Sequence, residues 1–118
     1  MNTQLSGRFG EATAAEYLRK KGWRVVGMNY RTRLGEIDVI AEKGRYLAFV
    51  EVKLRSAGAI GLPREFVDAR KQERLRKAAA CYLSTHGLDA PARFDVAEVY
   101  TDEGHRIVRL EYLADAFQ

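Results

Sequence analysis

The sequence predicts a mixed α/β domain, with a central sheet of about five strands flanked by helices in the order α-β-β-β-α-β-β. Three observations carry this prediction. Two segments place small and apolar residues at helical spacing. Five others are short, rich in Val and aromatic residues, and bounded by turn-forming residues. The 118 residues suit one core and contain no linker, so 1–118 read as a single domain with a peripheral tail from about residue 113.

Each element has its own signal. Ser6 is expected to cap a helix through "GRFGEATAAEYLRKK" that stops at Gly22, with Phe9, Ala12, Ala15 and Leu18 as its buried stripe. "WRVVGMNYR" reads as a strand that leads into a basic loop at Arg31 and Arg33. "EIDVIAE" and "RYLAFVEVKL" flank a tight turn at Lys43-Gly44. "RSAGAIGLP" is a glycine-containing loop ending at Pro63. A long helix follows, "REFVDARKQERLRKAAACYLSTH", packing Phe66, Leu75, Ala78, Ala79 and Tyr82 and stopping at Gly87. "ARFDVAEVYT" and "RIVRLEYL" finish the sheet around the turn "DEGH".

Composition narrows the function classes. The chain is 47% hydrophobic and 31% charged, and its apolar runs are too short to cross a bilayer. Its start lacks the basic residues and apolar block of a signal peptide, and a lone Cys81 suits a reducing cytoplasm. In "AAACYLS" that cysteine reads as core filling, and His86 and His105 as exposed polar residues. No zinc spacing, phosphate-binding glycine loop or serine-histidine-acid arrangement is present. The net charge of +4 favours a polyanionic partner, weakly.

The informative stretch is "GEIDVIAEKGRYLAFVEVKLR", which sets Glu36, Asp38 and Glu51 in two otherwise apolar strands. Alternation puts Glu36, Asp38 and Ile40 on one side of the first strand, and Leu47, Phe49, Glu51 and Lys53 on one side of the second. A turn at Lys43-Gly44 pairs residue 42 with 45, which sets Asp38 opposite Phe49 and Glu36 opposite Glu51. Because Ile40, Leu47 and Phe49 share the acidic face, that face is expected to be covered. Partly desolvated like charges repel and call for a cation. Lys53 supplies one charge at most, and oxygen-only ligands favour Mg²⁺ or Mn²⁺. The competing reading is a polar outer hairpin face on which Glu51 and Lys53 are surface charges.

Asp38, twelve intervening residues and Glu51-Val52-Lys53 resemble the D-x(n)-E-x-K core of restriction-endonuclease-like nucleases. "GRFGEATAAEYLRKKGWRVV", with Glu11 eleven residues before Gly22, resembles the leading helix of archaeal Holliday junction resolvases. "GEIDVIA", "FVEVKLR", Lys71 and "RFDV" more closely resemble the bacterial UPF0102 (YraN) family, from Gly7 to about Val99. The resemblance implies a restriction-endonuclease-like fold and a metal-dependent endonuclease acting on branched or otherwise structured DNA. RNA is an alternative substrate.

In that scheme Asp38 and Glu51 are the primary Mg²⁺ or Mn²⁺ ligands, the Val52 backbone carbonyl is a third, and Glu11 binds directly or through water. Lys53 orients the attacking water or stabilises transition-state charge. Glu36 supports the site, forms an ion pair or simply starts its strand. Arg31, Arg33, Arg55, Lys71, Gln72 and Arg74 are the expected contacts to the phosphates of nucleic acid. Asp95 is expected to pair with Arg93 in a structural role. By analogy with resolvases the active species is a homodimer. The alternative from another class is a non-catalytic nucleic-acid-binding or scaffold module that retains the nuclease fold.

Overall fold

The structure, a computed structural model, describes residues 3–59 and 67–118, with side chains described from Arg8 onward. Helix α1 spans Thr3–Lys20, and strands β1 (Arg24–Arg31), β2 (Glu36–Lys43) and β3 (Tyr46–Ser56) follow. After a short 3-10 turn at Ala57–Ala59 come helix α2 (Ala69–Thr85) and strands β4 (Ala92–Thr101) and β5 (Ile107–Phe117). The strands lie side by side in chain order, all antiparallel except the β3–β4 pair. That parallel pair needs a crossover, and α2 provides it. The predicted element order is therefore observed. Among the described residues no helix is long and apolar enough to cross a membrane.

Alternation divides the apolar side chains between two layers. Ile40, Leu47, Phe49 and Val96 pack against Leu75, Ala78, Ala79 and Tyr82 of α2. Val39, Ala41, Ala48, Val50 and Ala97 pack against Ala14 and Leu18 of α1. Phe49 lies at the centre of the first layer, fully buried, with its ring edge-on to Tyr82. Burial of that side chain contributes about 2 kcal/mol.

Several details differ from expectation, each for a local reason. The β2–β3 turn is Gly44-Arg45, one residue later than expected, and Lys43 pairs with Tyr46. Gly44 has φ +60 and Arg45 is not left-handed, which is the pattern of a type II′ turn with glycine at its first central position. Helix α1 already runs from Thr3, so Ser6 lies within the helix and is not its cap. The buried stripe of α1 follows Gly10, Ala14, Ala15 and Leu18, while Phe9 is 52% exposed. Helix α2 begins at Ala69 because Asp68 caps it, accepting the Lys71 N–H at 2.8 Å. Pro63, Arg64, Glu65 and Phe66 lie outside the described residues. The chain's last residues are not peripheral. β5 continues to Phe117, whose ring stacks on Phe94 at 5.1 Å.

The β1–β2 loop is clamped to α2 through a glycine. Thr32 and Gly35 close the loop through Thr32 N–H to the Gly35 carbonyl (2.8 Å) and Gly35 N–H to the Thr32 hydroxyl (3.1 Å). A Cβ on Gly35 would stand 2.0 Å from the Arg74 carbonyl oxygen, so helix backbone and loop backbone touch directly. Backbone cannot move aside as a flexible side chain can. Gly35→Ala is expected to destabilise the protein by about 2–4 kcal/mol in denaturant unfolding. An unchanged midpoint would show that the loop does not dock there.

Candidate functional site

The β2–β3 ladder is paired as far as Val39 and Val50. One residue further along that register, Asp38 stands level with Glu51. Sequence spacing places Glu36 there instead, and the two-residue displacement of the pairing is the correction. An even shift changes partners and preserves alternation, which holds from Val39 onward; Ile37 departs from it and packs with Ile40 in the layer against α2. At this point Asp38 Oδ2 accepts the Val52 N–H at 2.8 Å. A carboxylate thus occupies the place where a backbone acceptor would continue the ladder. Burial, then the charge of Glu51 and smaller contributions from Glu11 and Glu36, push the Asp38 carboxyl up to about 7, against the Val52 N–H.

Glu51 is 6% exposed, which is rare for a glutamate without a partner. Its partner is Lys71, with Nζ 2.8 Å from Oε1. Lys71 comes from the first turn of α2, the turn that Asp68 caps. Burial acts to lower the Lys71 ammonium. The hydrogen bond and charge of Glu51, with Asp38 and Asp68 behind them, outweigh burial and hold it above its ordinary 10.5.

The remaining expected residues divide into two groups. Glu11 is half-buried on α1, directly after Gly10. A Cβ on Gly10 would meet Leu54 Cδ2 at 3.1 Å and Val52 Cγ1 at 3.4 Å, so the glycine brings α1 close to β3 beside the site. Lys53 follows Glu51 on the same face of β3, in register with Glu98 of β4. Arg33 and Arg74 are exposed. Glu36 is exposed and pairs with exposed Arg31 at 3.6 Å, one of the three roles open to it. Arg55 is not presented on the surface: its side chain is 12% exposed and Nη1 lies 3.2 Å from Glu98. Gln72 is engaged within its own helix end, donating to the Val67 carbonyl at 2.8 Å and accepting from Arg76 at 3.0 Å. Asp95 is fully buried and meets Arg93 at 3.1 Å, Tyr112 Oη at 2.6 Å and Asp115 N–H at 2.8 Å.

Glu98 is the residue that sequence reasoning missed. It is 2% exposed and sits in phase with Phe94 and Val96 on the core face. The signal was available, because the alternation that marks Glu51 marks Glu98 equally.

Among the described residues no three carboxylate, imidazole or thiol groups converge as a closed ion cage in this arrangement. Asp38 is engaged by Val52 N–H and Glu51 by Lys71. The donor set nevertheless fits a hard divalent cation, being acidic, made of oxygen and short of positive charge. The raised proton affinity of Asp38 comes first from its burial and then from the negative charge of Glu51, and a cation would relieve both. A groove of about 800 Å³ between α1 and β5, lined by Phe9, Tyr17 and Leu110 among others, lies apart from these acids.

Because the folded Asp38 holds its proton up to about 7 against 3.8 unfolded, the stability this provides is present in full below 3.8 and lost as pH rises to about 7. Asp38→Asn can still accept the Val52 N–H and carries no charge. In EDTA at pH 7.5 it is expected to unfold later than the parent, by a margin of up to about 4 kcal/mol that closes towards pH 4. A variant less stable than the parent by the same amount at both pH values would contradict this.

The model of "Uncharacterised protein family UPF0102" matches residues 10–99. The chain is 43% identical over 118 residues to the UPF0102 protein of Moorella thermoacetica, covering 99% of this chain and 98% of that one. It is 46% identical over 112 residues to the UPF0102 protein of Alkaliphilus metalliredigens, covering 94% and 96%. The UPF0102 protein of Syntrophus aciditrophicus is 46% identical over 115 residues, covering 96% and 88%. The stretch that holds Glu11, Asp38, Glu51 and Lys71 lies within the matched region, and the chain belongs to the UPF0102 family.

Proposed function

We propose that this chain is a Mg²⁺- or Mn²⁺-dependent endonuclease that hydrolyses phosphodiester bonds in branched or otherwise structured DNA. The observation that carries the reading is that Asp38 lies level with Glu51 on adjoining strands, Asp38 accepting the Val52 N–H, while Lys71 pairs with Glu51 and Lys53 follows Glu51 on β3. A bound divalent ion would supply an acidic water and polarise the phosphoryl oxygen. Asp38 and Glu51 would hold it, with Glu11 and the Val52 carbonyl completing the set. Lys53 would orient the attacking water or stabilise the developing negative charge. When substrate and ion arrive, Lys71 would exchange the Glu51 carboxylate for a phosphate oxygen, its side chain being half-exposed. Arg31, Arg33 and Arg74 would meet phosphates further along the strand. A branched substrate with two-fold symmetry requires two such sites, supplied by a homodimer.

One observation favours a second reading. The Lys71–Glu51 pair already neutralises one acid without a metal, as a nucleic-acid-binding module with a silent site would require.

A cleavage screen separates the two. Duplex, flap, four-way junction, single-stranded DNA and RNA are incubated with and without Mg²⁺ or Mn²⁺. Nicking of a branched substrate that needs metal and falls at least about 100-fold in Asp38→Ala and in Glu51→Ala supports the endonuclease. Metal-indifferent binding with no cleavage of any substrate supports the second reading, and cleavage unchanged in both variants removes these acids from the mechanism.

A further inference from the structure

A second constellation lies at the other end of the sheet. Glu51 and Lys53 lie five or more residues along β3 from Tyr46, a rise of roughly 17 Å, with Glu51 paired to Lys71 of α2 and Asp38 level with it. On the α1 side at the near end, Lys43 pairs directly with Tyr46, and Trp23 packs beside them just past the end of α1. The Arg93 guanidinium lies 4.6 Å from the Trp23 ring centroid. Trp23, Lys43, Tyr46 and Arg93 together line a cavity of about 330 Å³. An adjoining cavity of about 300 Å³ shares Trp23, Lys43 and Arg93 and adds Lys21, Tyr17 and Tyr112.

We infer that this concave patch is a separate binding site for single-stranded nucleic acid, stacking bases on Trp23 and Tyr46 and meeting phosphates with Lys43 and Arg93. Three features support a built site. Arg93 is fixed by the fully buried Asp95, which Tyr112 and the Asp115 N–H hold in turn, so its position over Trp23 is set by the core. Lys43 is steered by donating its ammonium to the Lys21 carbonyl at 2.9 Å. Tyr46 is 51% exposed although Phe49, three residues on, is fully buried, and Arg45 lies 5.7 Å from its ring centroid. Of Lys21, Lys43, Arg45 and Arg93, Arg93 pairs with Asp95, Lys43 donates to a backbone carbonyl and Arg45 lies by the Tyr46 ring, so the patch is net positive. Aromatic faces interleaved with cations fit unpaired bases on a phosphate backbone, whose rings a duplex keeps stacked inside. The site uses none of the acids and needs no metal, so it stands or falls apart from the endonuclease reading.

The chain has one tryptophan, and its emission therefore reports on this patch alone. In EDTA, a short oligothymidylate is expected to quench Trp23 saturably, with affinity falling as salt rises. Tyr46→Ala and Lys43→Gln, both at exposed positions, should each weaken binding by about tenfold, while Asp38→Ala leaves it unchanged. A blunt duplex and inorganic polyphosphate serve as the other arms. Absence of quenching, equal binding of duplex or polyphosphate, or full affinity in Tyr46→Ala would overturn the inference.

Discussion

The hydrogen bond from Val52 N–H to Asp38 Oδ2 holds the site together. It places a carboxylate inside the sheet, at the point where two strands stop sharing backbone bonds, and so brings it level with Glu51. Two acids in that position repel each other, and the fold tolerates this because α2 delivers Lys71 to Glu51. Without the helix, Glu51 would be a buried charge lacking its cation, an arrangement that costs several kcal/mol.

The helix is placed as strictly as the acids. Gly35 sets the β1–β2 loop against the Arg74 carbonyl, and Gly10 allows α1 to approach Val52 and Leu54. The glycines beside Glu11 and Glu36 thus act on packing, bringing helices from both faces of the sheet to one corner. The acid-bearing corner carries strain of an electrostatic kind, with Asp38 driven towards neutrality by burial and by its neighbours. Stability surrendered at a site of this kind is a common accompaniment of function.

Much of this was legible in the residues. Alternation alone separates Ile40, Leu47 and Phe49 from Val39, Ala41, Ala48 and Val50, and the layers follow it there; Ile37 breaks the pattern, packing with Ile40 against α2 although alternation sets it with Val39. The pairing partners were harder, because "EKGRY" admits turns one residue apart and only the left-handed Gly44 selects between them. Helical spacing set the buried stripe of α1 at Phe9, Ala12, Ala15 and Leu18, but Phe9 and Ala12 are exposed; packing chose Gly10, Ala14, Ala15 and Leu18 because small residues let the helix sit close to the sheet. The role of Lys71 depends on where α2 crosses β3, and that of Arg55 on its pairing with Glu98 of β4, neither of which a local pattern encodes. Glu98 was overlooked because its strand lacked the motif that drew attention to Glu51.

The central claim is that Asp38 and Glu51 share one hard divalent ion, and calorimetric titration of the purified protein with Mn²⁺ tests it most directly. The account predicts one saturable site per chain, lost in Asp38→Asn and in Glu51→Gln, both of which keep the shape of the side chain they replace. Manganese binding of unchanged strength and stoichiometry in both variants would contradict it.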